Sequence, residues 1–340
     1  MSFPRTLDGA AGETGEIRAG STDLQERRRA GVATGPLVDL RDIHGLDRIE
    51  WLEGAARIGA LVRIATVADD DLIRARYPAL AEAAGMLATP QIRAVGTMGG
   101  SLLQRTRCWY YRKTAFDCHK KGGDHCPARE GNHHYGVCFD RGPCVWPHPS
   151  TLGMALLTYE AEIDVHGREP LSTAALFGDG SDPSCDHQLA PGEVLTHIRL
   201  PTPLENERAG YFRAISRHLA EWPLVEVSVR LALEAGRISF ARVAVGGVAN
   251  IPLRLLAVEE QLIGTQPGPE SFERAAARSV DGAAPLPMTQ YKLTLLPASI
   301  EKTLHLANAS GATGSTEPPS PRRTGIESGL PWARSESGAT

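Results

Sequence analysis

Residues 95–108 read VGTMGGSLLQRTRC, and the run CWYYRKTAFDCHKKGGDHC continues from Cys108 to Cys126. A glycine-rich turn therefore opens directly into a polar loop crowded with thiols. The turn, with Thr97, Gly99, Gly100 and Ser101, has a counterpart near the start of the chain in AGSTDL, Ala19 to Leu24. In both, Gly lets the backbone approach a ligand closely and adopt positive φ. Successive amide N–H groups then suit a pyrophosphate, with Ser and Thr hydroxyls as added donors. Neither stretch is a G-x-G-x-x-G fingerprint, and no Lys-Ser/Thr follows to make a Walker loop. Singly each is an ordinary tight turn; as a pair, they could cradle one dinucleotide between them.

Five of the six cysteines fall between positions 108 and 144. Cys108, Cys118, Cys126 and Cys144 give C-x9-C-x7-C-x17-C, with Cys138 as an extra. Close C-x2–4-C knuckles of zinc ribbons are missing, and so is a ferredoxin-type run. Four thiolates from one long loop can wrap a cube-shaped iron–sulfur cluster, and Arg105, Arg107, Arg112, Lys113, Lys120 and Lys121 would offset their charge. Zinc held by some of these cysteines with His119, His125, His133 or His134 fits the composition equally well. Disulfides fit only an oxidising compartment. Spacing leaves these choices open.

The chain has 340 residues, room for about two domains. A net charge of −4 gives no electrostatic case for nucleic acid or an anionic membrane. No stretch supplies the ~20 apolar residues of a membrane span. MSFPRTLDGAAGETGEIRAG lacks the order of a secretory signal, so the cytoplasm is expected, with the periplasm reachable by export alongside a signalled partner.

Along the chain, GEIRAGSTDL predicts strand, turn and helix start, GPLVDL a buried strand, and ARIGALVRIATV a longer one. Residues 69–87 have a helical pattern whose Asp69, Asp70 and Asp71 suit a solvated N-terminus. TLGMALLTYEAEIDVHG predicts a buried helix running into a strand, and GEVLTHIRLP an extended segment. TPLENERAG is a linker to a β-rich second half, where Gly246-Gly247 marks a bulge or close backbone approach. IPLRLLAVEEQLIG and SIEKTLHLA are helical, and residues 309–340, rich in Gly, Ser, Thr and Pro, are expected to be a disordered tail. Arg27, Arg28 and Arg29 are taken as a solvated helix face, and the class is α+β.

Together the two turns and the cysteine loop resemble the FAD-binding medium subunit of the molybdenum hydroxylases, the xanthine dehydrogenase family. Within it they resemble the branch with an additional 4Fe–4S cluster, that of 4-hydroxybenzoyl-CoA reductase β subunits and periplasmic aldehyde oxidoreductase FAD subunits. AGSTDL, VGTMGGSLL, CHKKGG, HPS, EWPLVEVSV, ARVAVGGVA and PLPMTQYK carry the likeness over roughly residues 15–308. It implies a PCMH/vanillyl-alcohol-oxidase-type FAD-binding domain at 1–203, a cysteine-rich iron–sulfur loop at 104–148, and a small domain of antiparallel sheet and helices at 208–308. It assigns Ala19, Gly20, Ser21, Thr22, Asp23 and Leu24 to the FAD pyrophosphate and Thr97, Gly99, Gly100 and Ser101 to the second FAD turn. Cys108, Cys118, Cys126 and Cys144 become the cluster ligands; Cys138 and Cys185 are left out.

The implied role is electron transfer without catalytic residues of its own. Electrons would pass from a molybdopterin-binding large subunit, through a 2Fe–2S small subunit, to FAD here, in a heterotrimer or dimer of heterotrimers. Ser21 stands where the family has Gly and fits if its φ stays negative. Ser101 and Thr151 replace a common Asn and Asp, and Ile215 an Arg. Two other readings fit the same residues: a flavoprotein-fold scaffold with a decayed FAD site, and a zinc-stabilised domain without redox function.

Overall fold

The computed structural model describes residues 1–217 and 220–310. A parallel pair, β1 (Glu16–Arg18) and β2 (Leu37–Asp39), opens the chain, with Glu16 opposite Leu37. Buried Asp39 closes this pair because Arg18 and Arg41 both neutralise it. Next come β3 (Ile49–Leu52), β4 (Ala55–Gly59), β5 (Glu162–Val165), β6 (Leu171–Ser172) and β7 (Leu195–Leu200). They form one antiparallel sheet in the order β3-β4-β7-β5-β6, so residues far apart in sequence meet at β4–β7.

The second sheet is β8 (Glu207–Ala214), β9 (Val225–Glu234), β10 (Arg237–Gly246) and β11 (Leu253–Arg254), antiparallel in the order β11-β10-β9-β8. From Val225 to Ala232 every residue of β9 is buried. Val225, Val227, Val229 and Leu231 join a core with Leu296, Ile300 and Leu304 of the helix Lys292–Ser310. The opposite face, with Glu226, Ser228 and Arg230, meets the first domain, where Ser228 Oγ lies 2.8 Å from Thr158 Oγ1. The residues alternate apolar and polar, yet with both faces covered the polar ones are buried as well. The polar residues survive burial through partners, as in the 2.8 Å pair of Arg230 with Glu207.

Several segments depart from the expectations. ARIGALVRIATV is strand only as far as Gly59, and a helix starts at Ile64 after Arg63. Residues 69–87 make two helices, Asp71–Arg76 and Pro78–Met86, because Pro78 cannot continue the first. Asp70 caps the first by accepting from the Ile73 N–H at 2.8 Å. The linker is shorter than TPLENERAG, since β8 already begins at Glu207. The last helix begins at Lys292 and holds Ala309 and Ser310; the tail from Gly311 lies outside the described residues.

Gly246 is a close approach, as expected, because a Cβ there would meet the Glu226 carboxyl. Lys292 was not anticipated as a structural residue. It is buried, and its Nζ donates to the carbonyls of Gly136 at 2.7 Å and Gly247 at 2.5 Å. One side chain thereby ties the last helix, the end of β10 and the cysteine loop together. Burial pushes its pKa down to about 8. Lys292→Met should cost about 1–3 kcal/mol for each carbonyl left without a donor, seen as a lowered urea midpoint.

Candidate functional site

The two glycine-rich turns touch. A Cβ on Gly20 would run into the Val95 carbonyl oxygen, so the first turn lies flat against the residues just before the second. Between them opens a cavity of about 730 Å3. All of Ala19 to Leu24 line it, as do Thr97, Gly99, Gly100 and Ser101. Its volume is in the usual range for ligand pockets, about 300–1,000 Å3.

The turns differ in what they offer. In the second, the amides of Met98, Gly99 and Ser101 donate to the carbonyls of Val62, Ala60 and Thr97. Its Gly100 amide donates to Thr97 Oγ1, which caps the short helix Met98–Leu102. That turn forms a wall. In the first, among the described residues, no acceptor pairs with the amides of Gly20, Ser21 or Thr22. Ser21 Oγ is also buried without a hydrogen-bond partner.

Ser21 has φ +61°, which overturns the expectation of a negative value. The left-handed conformation costs a residue with a Cβ about 1–2 kcal/mol. The chain holds it there because the Ser21 carbonyl accepts from the Gln25 amide at 2.9 Å, starting the helix Leu24–Arg29. The strain leaves an unpaired hydroxyl at the cavity wall.

Asp23 lines the cavity, yet its carboxylate is committed to arginines. It pairs with Arg27 at 2.9 Å, Arg112 at 2.5 Å and Arg107 at 3.3 Å, and accepts from the Arg105 amide at 3.2 Å. Burial opposes its charge, but Arg107 and Arg112 outweigh it and hold the pKa below the ordinary carboxylate value. Arg27 is accordingly buried, pairing with Glu16 as well as Asp23, so the solvated reading of the Arg27–Arg29 run fails at Arg27.

The loop's basic residues also serve other partners than expected. Arg107 and Arg112 reach Glu26 at 2.7 and 3.2 Å, while Arg105 and Lys120 reach buried Asp186 at 2.9 and 2.8 Å. Lys121 Nζ donates to the Tyr110, Lys113 and Phe116 carbonyls. They brace the loop against the cavity; the charges acting on the thiols are Lys120 at Cys144 and Arg129, which lies near Cys126 and Cys144.

Cys108, Cys118 and Cys144 are buried in one small apolar cluster with Tyr111, Val145 and Trp146, and Cys126 packs against it. All six cysteines are free thiols. Burial pushes Cys108 up to about 12 and Cys144 to about 11, against hydrogen bonds from the amides of Tyr110 and Tyr111 to the first and of Trp146 to the second. Cys138 belongs to the core of the second sheet, apart from the four. A tetrahedral zinc draws its sulfurs to about 3.8 Å of one another, from Zn–S bonds of ~2.3 Å. Among the described residues no three His, Cys, Asp or Glu side chains close to single-ion geometry.

Sequence reasoning missed Asp186, which sits in no recognisable motif, and gave no role to Trp222 and Glu226 although both lie in EWPLVEVSV; it also missed that Cys185 lines the cavity. It quoted HPS without a role. His148 is buried, accepts from the Ser150 amide at Nδ1 (3.2 Å), and donates from Nε2 to the Asp186 carbonyl (3.1 Å). Burial, the larger effect, and Lys120 nearby push its pKa down to about 4.

Two family models match the chain. Residues 9–203 match the FAD binding domain in molybdopterin dehydrogenase, and residues 210–305 match the CO dehydrogenase flavoprotein C-terminal domain. The chain belongs to this family of FAD-binding medium subunits, that of the xanthine and CO dehydrogenases, whose members are oxidoreductase subunits. It is 33% identical to the aldehyde oxidoreductase FAD-binding subunit PaoB of Escherichia coli K12, over 72% of this chain and 78% of that protein. It is 25% identical to the carbon monoxide dehydrogenase medium chain of Afipia carboxidovorans, over 81% of each. Its fold matches a chain of carbon monoxide dehydrogenase from Hydrogenophaga pseudoflava with a TM-score of 0.72 at 22% identity, over 91% of this chain and 96% of that one.

Asp23→Asn removes the charge that three arginines surround, and breaking a buried pair on one side costs about 3–5 kcal/mol. Thermal denaturation should show the loss. Acid should act through His148 and through His187, which burial also pushes down to about 4; His148 is the one tested. Its folded pKa lies below the unfolded value of 6.5, so the unfolded chain binds more protons between pH 6.5 and about 4. Stability from this group is complete above 6.5 and falls by about 1.4 kcal/mol per pH unit below it. His148→Gln should reduce the urea midpoint's dependence between pH 6.5 and 4.5, leaving the share due to His187.

Proposed function

We propose that the chain is the FAD-binding electron-transfer subunit of a molybdenum-containing dehydrogenase, carrying a 4Fe–4S cluster in the 104–148 loop. The observation that carries the FAD assignment is the unpaired Ser21 hydroxyl beside the free amides of Gly20, Ser21 and Thr22, at the wall of the large cavity. These are donors waiting for an anion of pyrophosphate size. In this reading Ala19 to Thr22 and Leu24 contact the cofactor. Asp23 anchors the turn, and Thr97, Gly99, Gly100 and Ser101 form the facing wall. FAD supplies the exchange between two-electron and one-electron steps. The chain's residues bind it, orient it and keep water from it.

For the cluster, the support is the donor set. Four thiols from one loop share an apolar pocket, with amide hydrogen bonds to Cys108 and Cys144 and cationic Lys120 and Arg129 nearby. Such hydrogen bonds and charges tune cluster potentials. The partners in this reading are a molybdopterin-binding large subunit and a 2Fe–2S small subunit. Among the described residues no helix is long and apolar enough to cross a membrane. The cytoplasm is the proposed location, with the periplasm reached only alongside an exported partner.

Anaerobic purification should yield a flavin absorption band and about four irons per chain with acid-labile sulfide. Cys118→Ser should lower the iron while the flavin band stays. Protein with one zinc and no sulfide would sink the cluster. For flavin-free protein, FAD at 100 times its Kd should add about 2.7 kcal/mol of stability; an unchanged Tm means a scaffold without an FAD site.

A further inference from the structure

One wall of the large cavity is a short irregular segment, residues 184–188, that is anchored along its length. Arg105 donates to the Ser184 carbonyl at 3.3 Å, and Lys120 Nζ donates to the Cys185 carbonyl. The Asp186 carboxylate takes both of these cations, its carbonyl takes His148, and the Gln188 amide donates to the Leu176 carbonyl at 2.8 Å. With Asp186 turned to the cysteine loop, the residues on either side of it, Cys185 and His187, line the cavity. Backbone anchors of this kind hold a side chain in place before any ligand arrives.

His187 is half-buried, and one of its ring nitrogens is already engaged. Burial, with Arg105 and Lys120 beside it, outweighs Asp186 and Glu16 and keeps the ring neutral, with a pKa pushed down to about 4. Nδ1 accepts from the Leu189 amide at 3.3 Å, so the single ring proton sits on Nε2. Among the described residues nothing accepts from that Nε2–H. The ring is a neutral donor of fixed tautomer, open to a cavity that is apolar next to it at Leu189 and Leu195. The pyrophosphate does not call on it, since its donors are the amides of Gly20 to Thr22 and the Ser21 hydroxyl.

Resting on the FAD assignment above, we propose that His187 binds the flavin ring itself, its Nε2–H donating to an acceptor edge of the isoalloxazine. A donor of this kind suits the N1–C2=O and N5–C4=O edges, which in the oxidised ring offer acceptors only. The amino face of adenine instead pairs an acceptor with a donor. Reduction puts more negative charge on the flavin edge, so a donor fixed beside it favours the reduced ring over the oxidised one. His187 therefore does two things at once: it holds the ring and raises its potential.

The test uses the full-length chain. FAD uptake by the wild type is read first from the absorption band; no uptake overturns the FAD assignment, and this inference with it. In flavin-free protein, His187→Leu should weaken FAD binding about fivefold, the loss of one hydrogen bond. It should bind ADP, which has the adenine and pyrophosphate but no flavin, as the wild type does, and this also shows that the variant has folded. In FAD-loaded protein, the midpoint potential measured against a reference dye should fall by about 30 mV in His187→Leu. For a two-electron couple that is a tenfold shift toward the oxidised form. His187→Gln, which keeps a side-chain N–H, should recover most of both losses. Equal weakening of ADP and FAD would give His187 to the adenine and overturn the proposal. So would a potential that is unchanged in His187→Leu, or one that falls equally in the two variants.

Discussion

The carboxylate of Asp23 joins the parts of this molecule that matter for a ligand. Arg27 belongs to its own helix, while Arg107 and Arg112 come from the cysteine loop over eighty residues away. A buried carboxylate so surrounded stays ionised, and each arginine gains a charge-assisted partner out of water. The arrangement is all-or-nothing: one charge removed leaves the others buried and unpaired. It fixes the first turn in place, so that Ser21 can be held in a left-handed conformation with its hydroxyl unpaired.

Asp186 does the same on the far wall. It receives Arg105 and Lys120 from the cysteine loop and the Thr106 amide, while its carbonyl accepts from His148. The loop thus grips both walls of the cavity, and Lys292 ties it to the second sheet. A segment that looks like an insertion when read along the chain is the junction of both domains. Disturbance of the thiol cluster would reach the large cavity through these ion pairs.

Legibility followed the locality of each signal. AGSTDL, VGTMGGSLL and the cysteine spacing are short and chemically distinctive, and their residues do line the cavity or share the thiol cluster. Elements with a clear pattern, such as the helix Thr151–Thr158 and the strand after it, lie where the sequence pattern put them, and the second half is β-rich as expected. Misreadings arose where another force intervened. Pro78 split a helical pattern, and the carbonyls of Ala60 and Val62 took the amides that were to make a second phosphate nest. Cationic residues beside cysteines suggested thiolate partners, but carboxylates distant in sequence claimed them first.

Family and the pairing of the two turns could be argued from residue order alone, because each rests on a motif, and the family resemblance then set Cys138 apart from the other four cysteines of the loop. Folding in three dimensions assigned Asp23 to anchoring, locked His148 neutral, buried Lys292 and buried Glu226 against the Tyr211 hydroxyl. The physical reason is that charge pairing and desolvation act between groups brought together by the fold, and a sequence records neither distance nor exclusion of water.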